Sequence, residues 1–238
     1  MHRCRRSLFV LLLPLFTLLV GTACGKDEDK PPLPSGERTE EPKVETPKDA
    51  ATGPFAGFDF AAAKQRWQGA WVLPGSTLGQ TVAWHVDGDK VTEFDGTTEK
   101  TYAFAVYSPC QVTYTDEEAG VTTYHTFTFA GDTLHTGLGS AGTTVGDAVI
   151  GCIGGRTYVL RGDTCEEWSE MFDDWKQQPA DCKLEGEGAE RKLVTPAGEL
   201  PFVGDSGALA NEQMQGNTAT KHADFATAKA ALTSAKPD

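Results

Sequence analysis

Three things are scarce in this chain: cations, long apolar runs and metal-ligand spacings. Lys and Arg together number 21 against 34 Asp and Glu, a net charge of −13 over 238 residues. Arg3, Arg5 and Arg6 are the only charges in the first 23 residues, so the remainder is more acidic still. A surface of that sign repels phosphate backbones, which argues against nucleic-acid partners. The apolar run Leu8 to Val20 is broken by Pro14 and Thr17, and at about 13 residues it falls short of the roughly 20 that a spanning helix needs. No Cys-x-x-Cys and no His-x-x-x-His spacing occurs, so no metal site and no cofactor is expected. Apolar residues make up only 39 % and glycine numbers 26, which favours a β-rich, loop-rich domain with unstructured flanks.

What is present begins with a delivery signal. Three arginines, a short apolar stretch and the small residues Gly21, Thr22 and Ala23 have the order of a secretory signal peptide over residues 1–23. Leu19-Val20-Gly21-Thr22-Ala23-Cys24 resembles the lipobox of bacterial lipoproteins, with Gly21 where that pattern favours leucine. The resemblance implies cleavage before Cys24 and diacylglycerol on its sulfur, placing the protein in the bacterial cell envelope with the membrane as its first partner. Two or three acyl chains hold firmly where one holds marginally, at about 0.8 kcal/mol per buried CH2. Residues 24–54 then carry Pro31, Pro32, Pro34, Pro42, Pro47 and Pro54 among alternating acids and lysines. With almost nothing apolar to bury, this segment is expected to be a disordered tether reaching about 90 Å at roughly 3.1 Å per residue.

Residues 55–182 read as the folded domain. Asp59 is a candidate N-cap for a short helix from Phe58 to Trp67, stopped at Gly69. Period-two alternation follows. Val82, Trp84 and Val86 share one face, as do Tyr102, Phe104 and Val106, Val112 and Tyr114, and His125, Phe127 and Phe129. Asp87-Gly88 and Asp95-Gly96 are hairpin signals. With Ala70–Leu73, Lys90–Phe94 and weaker runs at 133–136, 147–153 and 157–161, about nine antiparallel strands are predicted. The fold class expected is mainly β, an up-and-down barrel or a β-sandwich. Residues 183–238 read as a loosely ordered tail, with an edge strand at Leu200–Val203 and a weak helix at Asp224–Ala235.

Trp67-Gln68-Gly69-Ala70-Trp71 also resembles the Gly-x-Trp opening of lipocalin-like (calycin) barrels. The resemblance implies an eight-stranded barrel able to hold a small apolar ligand, and an arginine after the last strand packed over the motif tryptophan. Arg161 is the expected candidate, over Trp71. Trp84, Tyr102, Phe104, His125, Phe127 and Phe129 would then line a ligand cavity, or fill it as a core.

Once Cys4 leaves with the signal and Cys24 takes lipid, Cys110, Cys152, Cys165 and Cys182 remain. Four cysteines in an exported chain imply disulfides, and the favoured pairing is Cys110–Cys152 with Cys165–Cys182. Thr164-Cys165-Glu166-Glu167 has the form of a capping box, and Trp168, Met171, Phe172 and Trp175 recur at helical spacing. A disulfide-tied C-terminal helix packed on the sheet is therefore predicted there.

Two strings suggest chemistry. Gly137-Leu138-Gly139-Ser140-Ala141-Gly142 matches a phosphate-binding fingerprint, but no convincing helix start follows, so a turn is expected. Gly204-Asp205-Ser206-Gly207 resembles the nucleophile motif of chymotrypsin-like peptidases, although Ala208 replaces its second glycine and no matching histidine motif surrounds His85, His125 or His135. The expectation is a non-enzymatic envelope lipoprotein that binds a small apolar ligand or an envelope protein. The alternatives are a serine hydrolase using Ser206 and a purely structural lipoprotein.

Overall fold

The fold was obtained as a computed structural model, which describes residues 54–77, 80–137, 139–171 and 174–234. The expected signal peptide, Cys24 and nearly all of the expected 24–54 tether lie outside these residues. Helix α1 spans Phe60–Trp67, with the Asp59 carboxylate accepting from the Ala62 N–H at 2.8 Å. Strands β1 (Gly69–Thr77), β2 (Gln80–Asp87), β3 (Lys90–Phe94), β4 (Glu99–Ser108), β5 (Gln111–Asp116), β6 (Val121–Ala130) and β7 (Thr133–Gly137) follow. Each pairs antiparallel with the next. At the β2–β3 hairpin Asp87 faces Lys90, and Gly88 takes the positive φ of 60° that the tight turn requires.

These seven strands do not close by themselves. The eighth staff of the barrel is Thr218–His222, which pairs with β7 on one side and β1 on the other. The result is a closed eight-stranded antiparallel barrel. Its inner face carries the alternating residues: Val82, Trp84, Val86, Phe104, Val106, Val112, Tyr114 and Phe127 are all buried in one cluster. Alternation is read correctly because one pleat face is dry and the other wet.

The chain between the seventh and eighth barrel strands builds a second layer. Strands β8 (Ala141–Val145), β9 (Ala148–Ile153), β10 (Arg156–Arg161), β11 (Thr164–Met171) and β12 (Asp174–Pro179) run as successive hairpins. Three short strands follow, β13 (Lys183–Glu185), β14 (Lys192–Thr195) and β15 (Gly198–Pro201), forming their own sheet. Strand β16 (Leu209–Ala210) then pairs back onto β8, completing a six-stranded open sheet. Helix α2 (Glu212–Gly216), the barrel-closing strand, now β17, and helix α3 (Phe225–Ser234) end the described chain. Every residue of β9 is buried. Val149 and Ile153 meet Leu193, Leu200 and Leu209 on one face, while Ile150 and Cys152 meet Phe55, Ala210 and Met214 on the other.

Three expectations change. The helix predicted over 164–175 is the β11–β12 hairpin. Arg161 and Thr164 pair across a two-residue turn in which Gly162 has φ of 56°, so the chain doubles back and supplies the partner that β10 lacks. Pairing and burial of Cys165 and Glu167 override the local helical spacing. The second difference is residues 183–234, which are built into strands and helices, one of them a barrel stave, rather than a loose tail. Within that region the predicted edge strand and terminal helix are present as β15 and α3, with the Thr227 N–H bonded to Asp224 at 2.8 Å. Third, Arg161 lies on β10 in the open sheet, and the cation over the Trp71 ring is Lys221 of β17, 4.9 Å from its centroid.

Candidate functional site

The six inward residues expected to line or fill a cavity do converge inside the barrel. Trp84, Phe104, Phe127 and His125 are at most 2 % exposed, and Tyr102 and Phe129 pack at the margin of the same cluster. Trp67 occupies the space between them. It ends α1, is fully buried, and its ring stands 5.3–6.3 Å from those of Trp71, Trp84, Phe104, Phe127 and Phe129. These separations are edge-to-face or tilted packing contacts. The motif tryptophan Trp71 is locked to it, since its indole N–H donates to the Trp67 carbonyl at 2.8 Å. The inward set therefore acts as a core, centred on a side chain that alternation analysis does not select because it belongs to a helix. Its signal is its position, the last residue of a helix two residues before Gly69, from which it turns into the barrel mouth.

His125 is the imidazole of this interior. Its Nε2 is hydrogen-bonded to the Thr136 hydroxyl, its ring lies 5.4 Å from that of Trp84, and burial lowers its pKa to about 4. It is neutral at physiological pH. His85, one residue from Trp84 on the outer face, stacks on Phe225 of α3 at 5.5 Å. His85 and His125 thus occupy opposite faces of the barrel sheet. Among the described residues no group of three or more His, Cys, Asp and Glu is placed to hold a metal ion.

Both favoured disulfides are formed. Cys110–Cys152 joins the β4–β5 turn of the barrel to β9, and Cys165–Cys182 joins β11 to the segment before β13. The first therefore links two different sheets rather than neighbouring strands.

The two chemical strings have structural explanations. The glycine-rich stretch crosses from β7 to β8, and a strand rather than a helix follows it. Gly142 faces Gly151, and a Cβ on Gly142 would stand 2.2 Å from the Ile150 carbonyl oxygen, so close backbone approach accounts for that glycine. Ser206 sits in a turn closed by the Val203 N–H bonding to the Ala208 carbonyl at 2.8 Å. Its hydroxyl donates to the Val203 carbonyl at 2.6 Å and accepts from the Ala208 N–H at 3.3 Å. The proton a general base would remove is committed to the turn.

A groove lies outside the barrel, where β4 runs past the end of β3. Its volume is about 1020 Å3. Ala103, Ala105 and Tyr107 of the outward β4 face line it, with Thr113 beside them on β5. One side is α1 and the β2–β3 turn, through Phe60, Lys64 and Asp89; the other is the β5–β6 turn, Asp116 to Glu118. Lys64 is ion-paired with Asp89, and Lys100 with Asp116. In the second pair each partner favours the other's charge, which raises the Lys100 pKa and lowers that of Asp116. Nothing in the sequence announces this groove, because it exists only where α1 lies alongside β4.

The arrangement is that of a closed antiparallel barrel with a packed interior and an outer groove. No protein-family description, curated protein or solved structure matches the chain significantly.

Proposed function

We propose that the protein is an exported, lipid-anchored envelope lipoprotein whose lipocalin-like barrel is a scaffold, with its ligand or partner met on the outer surface. The observation that carries this reading is the ring-on-ring packing around Trp67, which places the domain's own side chains where a lipocalin-type ligand would sit. The lipocalin-like assignment is supported by the Gly-x-Trp opening at Gly69–Trp71 and by Lys221, which covers Trp71 as the family's arginine does. Export is supported by the order of arginines, apolar run and small residues before Cys24, and two disulfides suit an oxidising compartment.

The anchor is tested by mass analysis and fractionation. The wild-type mature chain is expected to carry acyl mass at Cys24 and to follow the membranes, and Cys24→Ala to be unmodified and soluble. Wild-type protein recovered unacylated would end the lipoprotein reading. The hydrolase alternative is tested separately: labelling of Ser206 by an active-site serine probe would establish it, and Ser206 is expected to stay unlabelled. A purely structural role predicts that no ligand or partner is recovered at all.

A further inference from the structure

We infer that the outer groove over β4 binds a neutral oligosaccharide. The inference rests on reading the domain as a surface-binding module, and is independent of the lipid anchor.

Four features of the groove point to that ligand class. The first is size. About 1020 Å3 lies at the top of the roughly 300–1,000 Å3 range of small-molecule sites, enough for several linked rings. The second is charge. Lys64 and Lys100 are each already neutralised by a carboxylate, Asp89 and Asp116, inside the same groove. Beside Lys90, a phosphate would meet two cations that are already paired, and it would face Glu117 and Glu118 as well. An ion pair offers a neutral hydroxyl both a donor and an acceptor without demanding a counter-charge.

The third feature is the floor. Ala103 and Ala105 place only methyl groups on the outward face of β4, and Thr113, paired with Ala105 on β5, adds a methyl and a hydroxyl. The next residue across on β6 from Thr113 is Tyr124, one of the exposed large apolar side chains at 46 %. A flat surface that alternates methyl and hydroxyl matches the two characters of a sugar ring, an apolar C–H face and an equatorial rim of hydroxyls.

The fourth is an orphan. Tyr107 lines the groove, and its hydroxyl is buried with no hydrogen-bond partner among the described residues. Its ring packs against those of Tyr124 at 5.0 Å and Trp175 at 6.0 Å, and Tyr124 is itself exposed. Leaving a buried hydroxyl unpaired is costly, and a shift of the ring toward the groove lets a ligand hydroxyl relieve that cost. Phe60, on α1, also lines the groove. Aromatic faces set beside hydroxyls and paired charges give a sugar both its stacking and its hydrogen-bonding contacts.

The test is titration of detergent-solubilised full-length protein with cellotetraose and with chitotetraose, followed by calorimetry. One arm carries plain and the other N-acetylated hexoses, so the source of the glycan is distinguished. Saturable binding of at least one is expected at about millimolar concentration or below. Ala105→Arg, which fills the floor from an outward position, should weaken it at least about tenfold. Tyr107→Phe removes only an oxygen that has no hydrogen-bond partner among the described residues, so it should fold normally and bind about threefold more weakly. Thermal unfolding of each variant shows that the fold survives; should Ala105→Arg not fold, Ala103→Arg takes its place. Failure of both sugars to bind folded wild-type protein overturns the inference, as does binding that is unchanged in the arginine variant and in Tyr107→Phe. The outer-surface reading fails differently, through an apolar molecule bound inside the barrel.

Discussion

The barrel and the six-stranded sheet are built from the same kind of hairpins, yet they are held in different ways. The barrel is closed, so no strand edge is left free, and its interior is one aromatic cluster around Trp67. Neither disulfide lies within it. The six-stranded sheet is open, with β12 and β16 as edges, and its two faces are covered by separate clusters. Both disulfides end on this sheet, one reaching back to the barrel and one out to the three-stranded sheet. A sheet that closes on itself is stabilised by its own pairing and core. One with two edges and short covering strands relies on covalent links.

Three changes to the two regions break or sharpen that contrast. Trp67→Ala empties the centre of the barrel and should cost about 3–5 kcal/mol by denaturant unfolding. A loss below 1 kcal/mol would show that the barrel does not depend on its plug. Removing Cys110–Cys152, whose residues are 42 apart, should cost about 4 kcal/mol in the chain-entropy model, against about 3 kcal/mol for Cys165–Cys182 at a separation of 17. Hydrogen exchange should show β9 to β12 losing protection before β2 to β6 in both cases; the reverse order would overturn the division of labour.

The pH dependence of stability tests the barrel interior. His125 has a folded pKa near 4 and an unfolded one near 6.5, so between these values the unfolded chain binds the extra proton. The stabilising contribution is complete above about pH 6.5 and is lost as pH falls to about 4, for a total of about 3 kcal/mol. His125→Gln should flatten that segment of the stability curve, and an unchanged slope would mean that the imidazole is not desolvated. The smallest effect is at the motif tryptophan. Lys221→Ala should cost about 0.5–1 kcal/mol through the lost cation–π contact. Arg161→Ala should leave the barrel's unfolding within about 0.5 kcal/mol of wild type.

Much of the barrel was legible because its signal is local. Hairpin turns at Asp87-Gly88 and Asp95-Gly96 and inward rows such as Val82-Trp84-Val86 declare strands with a single buried face. The closing strand was not legible. Thr-Ala-Thr-Lys-His shows no apolar alternation, since Ala219 is its one buried residue, and its place is set by the free edges of β1 and β7. The β11–β12 hairpin was read as a helix because Trp168, Met171, Phe172 and Trp175 fit a 3.6-residue period, and the need of β10 for a partner is a tertiary fact. For the site, the inward rings were readable from period two. Trp67 as their centre was not, because a helix end carries no such period. The favoured cysteine pairing is the one formed, but its bridging of two sheets depends on a second sheet that the strand pattern does not mark as separate. Arg161 ends the last strand visible in sequence and so is the expected cation over Trp71; the strand that closes the barrel carries Lys221.

The most direct test of a packed barrel that binds from outside is titration of the wild-type protein with hexadecanoate, read by intrinsic tryptophan fluorescence. Trp67, Trp71 and Trp84 all lie in the interior, so any occupant there would perturb them. The account predicts no saturable change in emission. A saturable blue shift or quench at stoichiometric fatty acid would contradict it and return the ligand to the inside of the barrel.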